Sequence, residues 1–365
     1  MKKSLRLLVM PAALLTVGLF AASAQAQTYR VSNYLWGEYN ADTSLNFPPL
    51  GSYSRRDQFG YVYSYNTVYD TSSLPFTSTA AGTWSDTVGL GMTDVNYNIY
   101  TSTDFRHNHA KVELSGFNPV DVTTSQPFCM TDGSGACIGP TVDVDTRITN
   151  NANATAQSRW EELYYIGGAS GTGVLTPTYH IDGSLGANGS ITGSAQIYWA
   201  QRDFQGHTVL GLSAYYDANS DSWYKSIYDI ASNSWIGSSG SGTLVLNEDL
   251  SAQLSFAYNT PFYVDSTLTT WVNGNGIADV QNTVTLTQLA LPAGSRLYVA
   301  SGTDYAGTAQ FSGGAGTICT TQNCATGGGG GGTPPVPEPS SLAMMFSGFA
   351  ALLLLQRRRQ SLRKD

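Results

Sequence analysis

The chain has 365 residues, of which 41% are hydrophobic and only 12% carry a charged side chain. That charged fraction is about half of the ~25% usual for soluble domains. So little charge excludes coiled coils and long helical arrays, and the 12% of aromatic residues exclude a disordered acidic chain. The length fits one large domain or two smaller ones.

The N-terminus is typical of a secretory signal peptide. Three basic residues precede an apolar run over residues 7–22, and Ala24 and Ala26 then supply the small residues of a cleavage site. A membrane anchor is the alternative, but the run is short and is broken by Pro11. We therefore expect residues 1–26 to be removed by signal peptidase on export.

The body of the chain is more acidic than the whole. Residues 27–337 keep ten of the 18 basic residues, because three lie in the signal and five follow residue 356. They keep 24 of the 26 acidic residues, because Glu338 and Asp365 lie outside, so the net charge is −14. This charge argues against binding of nucleic acid or an anionic membrane.

Side-chain periodicity predicts the fold class. Alternation with a period of two predicts strands at residues 61–65, 95–100, 142–146 and 283–287. Clusters of Gly, Asn and Ser predict turns at residues 150–153 and 167–171. No long window shows a helical period, so we expect an all-β body, an antiparallel β-sandwich or jelly-roll-like fold, over residues 27–326. A division into two subdomains near residues 167–173 stays open.

A short repeat supplies aromatic candidates for sugar binding. Residues 216–223 align with residues 228–235 at a spacing of twelve, which predicts a β-meander. Aromatic rings stack on the C–H faces of pyranoses, and this part of the chain also offers Trp199, Tyr215 and Tyr224. The four rings of the repeat, Tyr216, Trp223, Tyr228 and Trp235, are the candidates for such stacking. The alternative is that these rings fill the core.

The four cysteines occur in two close pairs, Cys129 with Cys137 and Cys319 with Cys324. Export to an oxidising compartment favours disulfides, and the two local pairings are the favoured ones among three connectivities. A zinc site is the competing interpretation, but the C-x2-C spacing is missing.

One loop resembles a calcium site in its ligand spacing. Asp217, Asn219 and Asp221 alternate as calcium ligands do, but Ser222 and Tyr228 stand where an EF-hand needs Gly and Glu. Turn formation explains these residues equally well. We expect no cofactor, with weak calcium binding here as the alternative.

No catalytic motif is found in the sequence. The pairs His107/His109 and His180/Asp182 would each share a strand face, but two residues do not make a metal site. A serine-hydrolase elbow, an H-E-x-x-H helix and a phosphate-binding loop are missing from the sequence. A glycosidase pair could still form among Glu113, Glu161, Glu162 and several Asp residues, since such carboxylates can lie far apart in sequence. We expect no enzyme, no catalytic residue and no metal site.

The C-terminus has a distinctive order of segments. Residues 327–336 form a Gly/Pro linker, Pro337, Glu338 and Pro339 follow, and an apolar transmembrane segment is predicted over residues 341–356. Arginines close it at the positions Arg357, Arg358 and Arg359.

This order resembles the PEP-CTERM sorting signal of Gram-negative bacteria, here residues 337–359. The resemblance implies that an exosortase, a membrane protease, cuts near Pro337–Pro339. The chain would then be anchored transiently in the inner membrane before it reaches the cell surface or the extracellular matrix, as with other removed hydrophobic tails.

The two processing signals and the missing catalytic motifs suggest a function. We expect a structural or adhesive protein of the extracellular polysaccharide or biofilm matrix. A lectin-like module that binds exopolysaccharide is the alternative, and a secreted glycan-active enzyme is the second alternative.

Overall fold

The computed structural model describes residues 29–319, apart from 48–50, 70, 88, 91, 130, 140, 189–191, 204, 231 and 314–315. The signal peptide, the linker and the sorting segment lie outside these described residues. The described part is all-β, as predicted, with one short 3-10 helix, Thr71–Ser73. Its strands are β1 (Tyr29–Phe47), β2 (Gly51–Val68), β3 (Phe76–Trp84), β4 (Val95–Thr103), β5 (His107–Ser115), β6 (Asp121–Phe128), β7 (Val142–Gly167), β8 (Thr172–Gly186), β9 (Gly193–Arg202), β10 (Thr208–Asp217), β11 (Ser222–Asp229), β12 (Ser234–Ser241), β13 (Leu244–Ser251), β14 (Leu254–Ala257), β15 (Phe262–Gly274), β16 (Gly276–Pro292), β17 (Arg296–Val299), β18 (Ala309–Ser312) and β19 (Thr317–Cys319).

Two sheets enclose one core. The larger sheet has the order β12-β11-β10-β9-β15-β7-β1-β2, with β6 and β17 also paired to β7, and β19 to β17. The smaller sheet has the order β13-β8-β16-β5-β4-β3, with β14 beside β8 and β18 beside β16. The strand pairs are antiparallel except β16–β18 and β17–β19. Residues Tyr29–Thr320 form one compact unit, in which the bend at 168–171 leads from β7 of the larger sheet to β8 of the smaller.

The four predicted strands are all found, in β2, β4, β7 and β16, and the predicted meander is β10-β11-β12. The predicted turn at residues 150–153 is wrong, because these residues lie inside β7 and pair with β1. Ala152 points into the core with no exposed surface, and Asn153 also pairs with β15. Hydrogen bonding on both sides therefore outweighs the turn preference of the asparagines.

Trp84 at the end of β3 locks the two sheets together. Its ring lies across the inner face of the larger sheet, where a Cβ on Gly37 would be 2.8 Å from Trp84 Cη2. A Cβ on Gly60 would overlap the same ring. On its other side Trp84 stacks on Tyr97 of β4, with ring centroids 4.4 Å apart. The glycines are therefore needed to admit a buried indole between the sheets.

A carboxyl group is buried at one end of the core. Glu162 has no exposed surface and accepts hydrogen bonds from the backbone N–H of Ser301, at 3.1 Å, and from its hydroxyl. The Tyr305 hydroxyl lies 2.8 Å from Glu162 Oε2 and 3.0 Å from the carbonyl oxygen of Phe105, and it accepts from Tyr164. One phenolic proton cannot serve two acceptors, so a protonated Glu162 satisfies the whole cluster. Burial raises the pKa of Glu162 to about 7, against the hydrogen bonds that lower it.

Most basic residues of the described part of the chain lie within strands and form ion pairs. Nine of the ten lie within strands, and Arg106 lies outside them. Eight of the ten form an ion pair with a carboxylate, Arg106 and Arg296 being the two that do not. Most of the positive charge of this acidic body is therefore neutralised by neighbouring carboxylates.

Removing the Trp84 ring tests the sheet-to-sheet lock. We expect Trp84→Ala to lower the free energy of unfolding by about 3–5 kcal/mol, because it leaves a large cavity in the core. Tyr61→Ala, which removes an exposed ring, should cost about 1 kcal/mol or less. Urea unfolding of both variants measures this, and equal losses would contradict the assignment.

The buried carboxyl predicts a pH dependence. Between about pH 4.5 and about pH 7, folded Glu162 keeps its proton while the unfolded chain loses it. Stability is therefore fully present below the lower value and falls as the pH rises through the higher one, by roughly 3 kcal/mol for this group. Glu162→Gln should remove this part of the slope in urea unfolding at pH 4 to 8. A Gln variant with the slope of the wild type would disprove the neutral carboxyl.

Candidate functional site

The outer face of the larger sheet carries the most distinctive side chains of the fold. Along β1, Val31 and Leu35 are buried against the smaller sheet, whereas Tyr34 and Trp36 alternate with them and are only partly covered. Strand alternation therefore places these two rings on the side that no other sheet covers.

Edge strand β2 extends the aromatic surface. Tyr61, Tyr63 and Tyr65 stand on the same face, and each is more than half exposed. The Tyr61 and Tyr63 rings are parallel within 4°, with centroids 6.4 Å apart, and Tyr34 meets Tyr63 edge-on at 5.9 Å. Burial, together with the neighbouring tyrosines, raises the pKa of Tyr34, so its hydroxyl stays a neutral donor at physiological pH.

The register carries this surface across the whole sheet. The residues that lie in line from β2 to β11 are Tyr63, Trp36, Thr155, Trp271, Gln196, Tyr215 and Tyr224. With the neighbouring rings they form a surface that we call the aromatic belt, which consists of Tyr34, Trp36, Tyr61, Tyr63, Tyr65, Tyr198, Tyr215, Tyr224, Tyr228, Trp235 and Trp271. It crosses seven strand spacings of ~4.8 Å, or about 34 Å.

At the far end of the belt the Trp235 ring packs over the backbone of the sheet. Trp235 of β12 packs edge-on against Tyr228, with centroids 5.5 Å apart, and lies 6.3 Å from Tyr198. A Cβ on Gly211 would be 2.7 Å from Trp235 Cη2, so this glycine makes room for the indole. Trp235 still keeps 40% of its surface exposed.

A row of ion pairs borders the belt on one side. Arg30 Nε donates to Glu161 Oε2 over 2.9 Å, and Arg159 pairs with both Glu161 and Asp265. Arg202 Nη1 lies 3.4 Å from Asp265 Oδ1. Mutual pairing fixes these side chains in place and presents both hydrogen-bond donors and acceptors at the edge of the belt.

Short polar side chains border the belt on the other side. The residues in register there are Glu38, Asn153, Asn273, Ser194 and Asp217. Amides and carboxylates are the groups that bind sugar hydroxyls. An aromatic strip between two polar borders is thus suited to an extended ligand with apolar faces and hydroxyl edges.

The four rings of the repeat that the sequence proposed divide between the two faces, and Trp199 is fully buried. Tyr228 and Trp235 belong to the belt. Tyr216 is only 3% exposed, and Trp223 packs beside it on the inner face, where a Cβ on Gly240 would overlap the Trp223 ring. Tyr216 and Trp223 therefore serve the core and leave the set of stacking candidates.

Sequence reasoning missed the half of the belt on β1 and β2. Tyr34-x-Trp36 and Tyr61-x-Tyr63-x-Tyr65 show the period of two that places rings on one face. That signal gives the shared face but not the partner strands. Only the register brings these residues into line with Trp271, which follows them by about two hundred positions.

The cysteines among the described residues agree with the predicted local pairing. Cys129 and Cys137 form a disulfide, with Cα atoms 5.5 Å apart. Cys319 is also disulfide-bonded. Cys324 lies outside the described residues, so the Cys319–Cys324 bond stays a prediction.

The candidate calcium loop is the turn between β10 and β11. Asp217 accepts hydrogen bonds from Asn219 at 2.9 and 3.0 Å and from Ser220 at 3.0 Å. Asp221 accepts from the Tyr216 hydroxyl at 2.9 Å. These oxygens already satisfy the turn itself, and calcium binding stays a prediction.

The three histidines proposed as metal ligands, His107, His109 and His180, lie on the smaller sheet, apart from the belt. His107 and His109 share one face of β5, with ring centroids 6.0 Å apart, and His107 Nδ1 lies 2.9 Å from Asp104. His180 Nδ1 instead lies 2.9 Å from Asp249 of the neighbouring strand. Within the described part of the chain, no three His, Cys, Asp or Glu side chains are grouped to hold a metal ion.

The three candidate glutamates do not converge. Glu161 faces outward among the arginines, whereas Glu162, the next residue, points into the core. Glu113 lies on the smaller sheet, where it pairs with Lys111.

Among the residues that the structure describes, no helix is long and apolar enough to cross a membrane.

Comparison with known proteins gives one result, at the C-terminus. The family model of the PEP-CTERM protein-sorting motif matches residues 335–359, which include Pro337, Glu338, Pro339 and the three arginines. No curated protein and no solved structure matches the chain. The motif marks a chain that is exported, processed by an exosortase and directed toward the cell surface. The chain therefore carries a PEP-CTERM protein-sorting motif at its C-terminus.

Proposed function

We propose that this protein binds polysaccharide chains outside the cell along its aromatic belt. The observation that carries the proposal is the register, which lines up exposed tyrosines and partly exposed tryptophans across the larger sheet between two polar borders. An extended polysaccharide repeats apolar C–H faces and hydroxyl edges along its length. The belt repeats aromatic rings along its length, with polar side chains along both edges, and these match the apolar faces and the hydroxyl edges of the polysaccharide.

The charge distribution supports a glycan over other extended ligands. The body is acidic, and the arginines beside the belt are paired with carboxylates, so a nucleic acid would meet repulsion and no row of free cations. An apolar peptide groove would need concave walls, whereas these rings stand on an open sheet face.

Binding of this kind would give the protein its place in the extracellular layer. A surface protein that holds polysaccharide acts as an adhesive component of the matrix. The proposal therefore combines the structural or adhesive hypothesis with the lectin-like hypothesis. The belt itself needs no catalytic group, because the bound chain is held and not cleaved. Of the three candidate glutamates, only Glu161 lies at the edge of the belt, where it pairs with Arg30 and Arg159.

Removing single rings of the belt tests the proposal. We expect Trp36→Ala and Trp271→Ala each to weaken binding of a polysaccharide about ten-fold or more, a loss of about 1.4 kcal/mol. Tyr53→Ala is the matched control, because Tyr53 is 60% exposed but pairs with Leu45 on the opposite face of the sheet. A glycan array identifies the polymer, and affinity electrophoresis in gels that contain it measures the loss.

Two outcomes would contradict glycan binding. One is an array that stays blank with the folded protein. The other is that the belt variants change self-association in analytical ultracentrifugation but bind polysaccharide as the wild type does. The belt would then be a protein interface, a role that aromatic surfaces also have.

Processing of the tail has its own test. We expect replacement of Pro337 and Glu338 by Ala to leave the C-terminal residues attached and the protein in the membrane fraction, because the exosortase motif is lost. Pro334→Ala, just outside the matched residues, is the control and should be processed normally. Intact mass and immunoblotting of membrane and surface fractions from the native host show the result. Unchanged tail removal in the double variant would disprove this recognition.

A further inference from the structure

A pocket opens at the end of the core where Glu162 is buried. Its volume is about 260 Å³. Three segments enclose it: the residues before β3, the loop between β4 and β5, and the residues after β17. The lining residues are Leu74, Pro75, Asp104, Phe105, Arg106, Ser301, Gly302 and Thr303. The aromatic belt contributes none of these residues, so the pocket is a separate feature.

Arg106 is the unusual residue of this lining. Eight other basic side chains of the described residues pair with carboxylates, but Arg106 forms no such pair, and its guanidinium has no hydrogen-bond partner among the described residues. A guanidinium is always charged and offers two parallel N–H donors. Left unpaired at a pocket, it is a ready partner for a carboxylate ligand.

Asp104 does not neutralise Arg106, although it lines the same pocket. Its Oδ1 accepts the backbone N–H groups of Arg106, at 2.7 Å, and of His107, at 2.9 Å. Both of its oxygens also lie 2.9 Å from His107 Nδ1. Burial works against ionisation, but these hydrogen bonds outweigh it and hold the pKa of Asp104 below its ordinary value. The Asp104 carboxylate thus uses its hydrogen bonds within its own loop, on the backbone of Arg106 and on His107.

The opposite wall offers hydroxyl groups and no charge. Ser301 donates to the buried Glu162, and Ser301 Oγ lies 2.7 Å from Thr303 Oγ1. Since the Ser301 proton is already used, Thr303 must donate to Ser301. Thr303 Oγ1 therefore keeps its lone pairs as acceptors for a ligand.

The size and the chemistry of the lining limit the ligand. About 260 Å³ lies just below the ~300–1,000 Å³ of pockets that hold drug-sized molecules, so the pocket suits about one sugar ring. Leu74 and Pro75 give an apolar wall for a ring face, and Thr303 accepts from a hydroxyl. A single guanidinium beside an ionised Asp104 suits a monoanion better than a phosphate dianion.

We propose that this pocket binds a single sugar acid, a hexuronic acid unit, with its carboxylate on Arg106 and a ring hydroxyl on Thr303. The site would recognise an acidic unit independently of the belt, which holds a chain by its faces. Failure of one site leaves the other intact, so the two proposals are tested separately.

Titration calorimetry of the purified protein with glucuronate tests the site. We expect binding at least ten-fold tighter than that of glucose, which lacks the carboxylate. Arg106→Gln should bring glucuronate down to the level of glucose, and Thr303→Val should weaken it about three-fold without changing the weak binding of acetate. Arg296→Gln is the matched control, since Arg296 also pairs with no carboxylate among the described residues but does not line the pocket. It should bind as the wild type does.

Each contrary result is decisive once near-UV circular dichroism shows that the variants are folded. Glucuronate affinity that is equal in the wild type and Arg106→Gln would overturn the site. So would acetate or inorganic phosphate that binds through Arg106 as tightly as glucuronate, because the pocket would then recognise an anion and not a sugar acid. Trp271→Ala should leave glucuronate binding unchanged, which separates this result from the belt.

Discussion

The register of β1, β7 and β15 is the constraint on which both faces of the larger sheet depend. Leu35, Ala156 and Thr270 meet on the inner face, and Trp36, Thr155 and Trp271 meet on the outer one. A shift of one residue in any of these strands would turn rings into the core and core residues into water. The long ladder of β1 on β7, from Tyr29 to Asn46, makes such a shift costly.

The sequence allowed the fold class to be predicted because alternation is a local property. The strands in β2, β4, β7 and β16 and the meander β10-β11-β12 follow from it. The stretch at 150–153 was misjudged because local preference favours a turn in asparagine-rich sequence, while pairing with two neighbouring strands favours extension.

The candidate site was only half predictable for a related reason. Tyr216 and Tyr228 occupy equivalent places in the repeat, yet one is buried and the other faces outward. The twelve-residue spacing hides this difference, because the turns decide which face each ring takes. The pocket lay beyond sequence reasoning altogether, since Pro75, Arg106 and Thr303 come from three distant segments and meet only through the packing of the strand ends.

The placement of basic residues bears on how long this protein survives once exported. Proteases of the trypsin type cut after Lys or Arg and need several residues of free, extended chain around the bond. Nine of the ten basic residues of the described part lie within hydrogen-bonded strands, so cleavage there requires the strand to leave its sheet first. This placement therefore makes the described body a poor substrate for such enzymes, and even Arg106 lies in a short hydrogen-bonded turn that would have to open first.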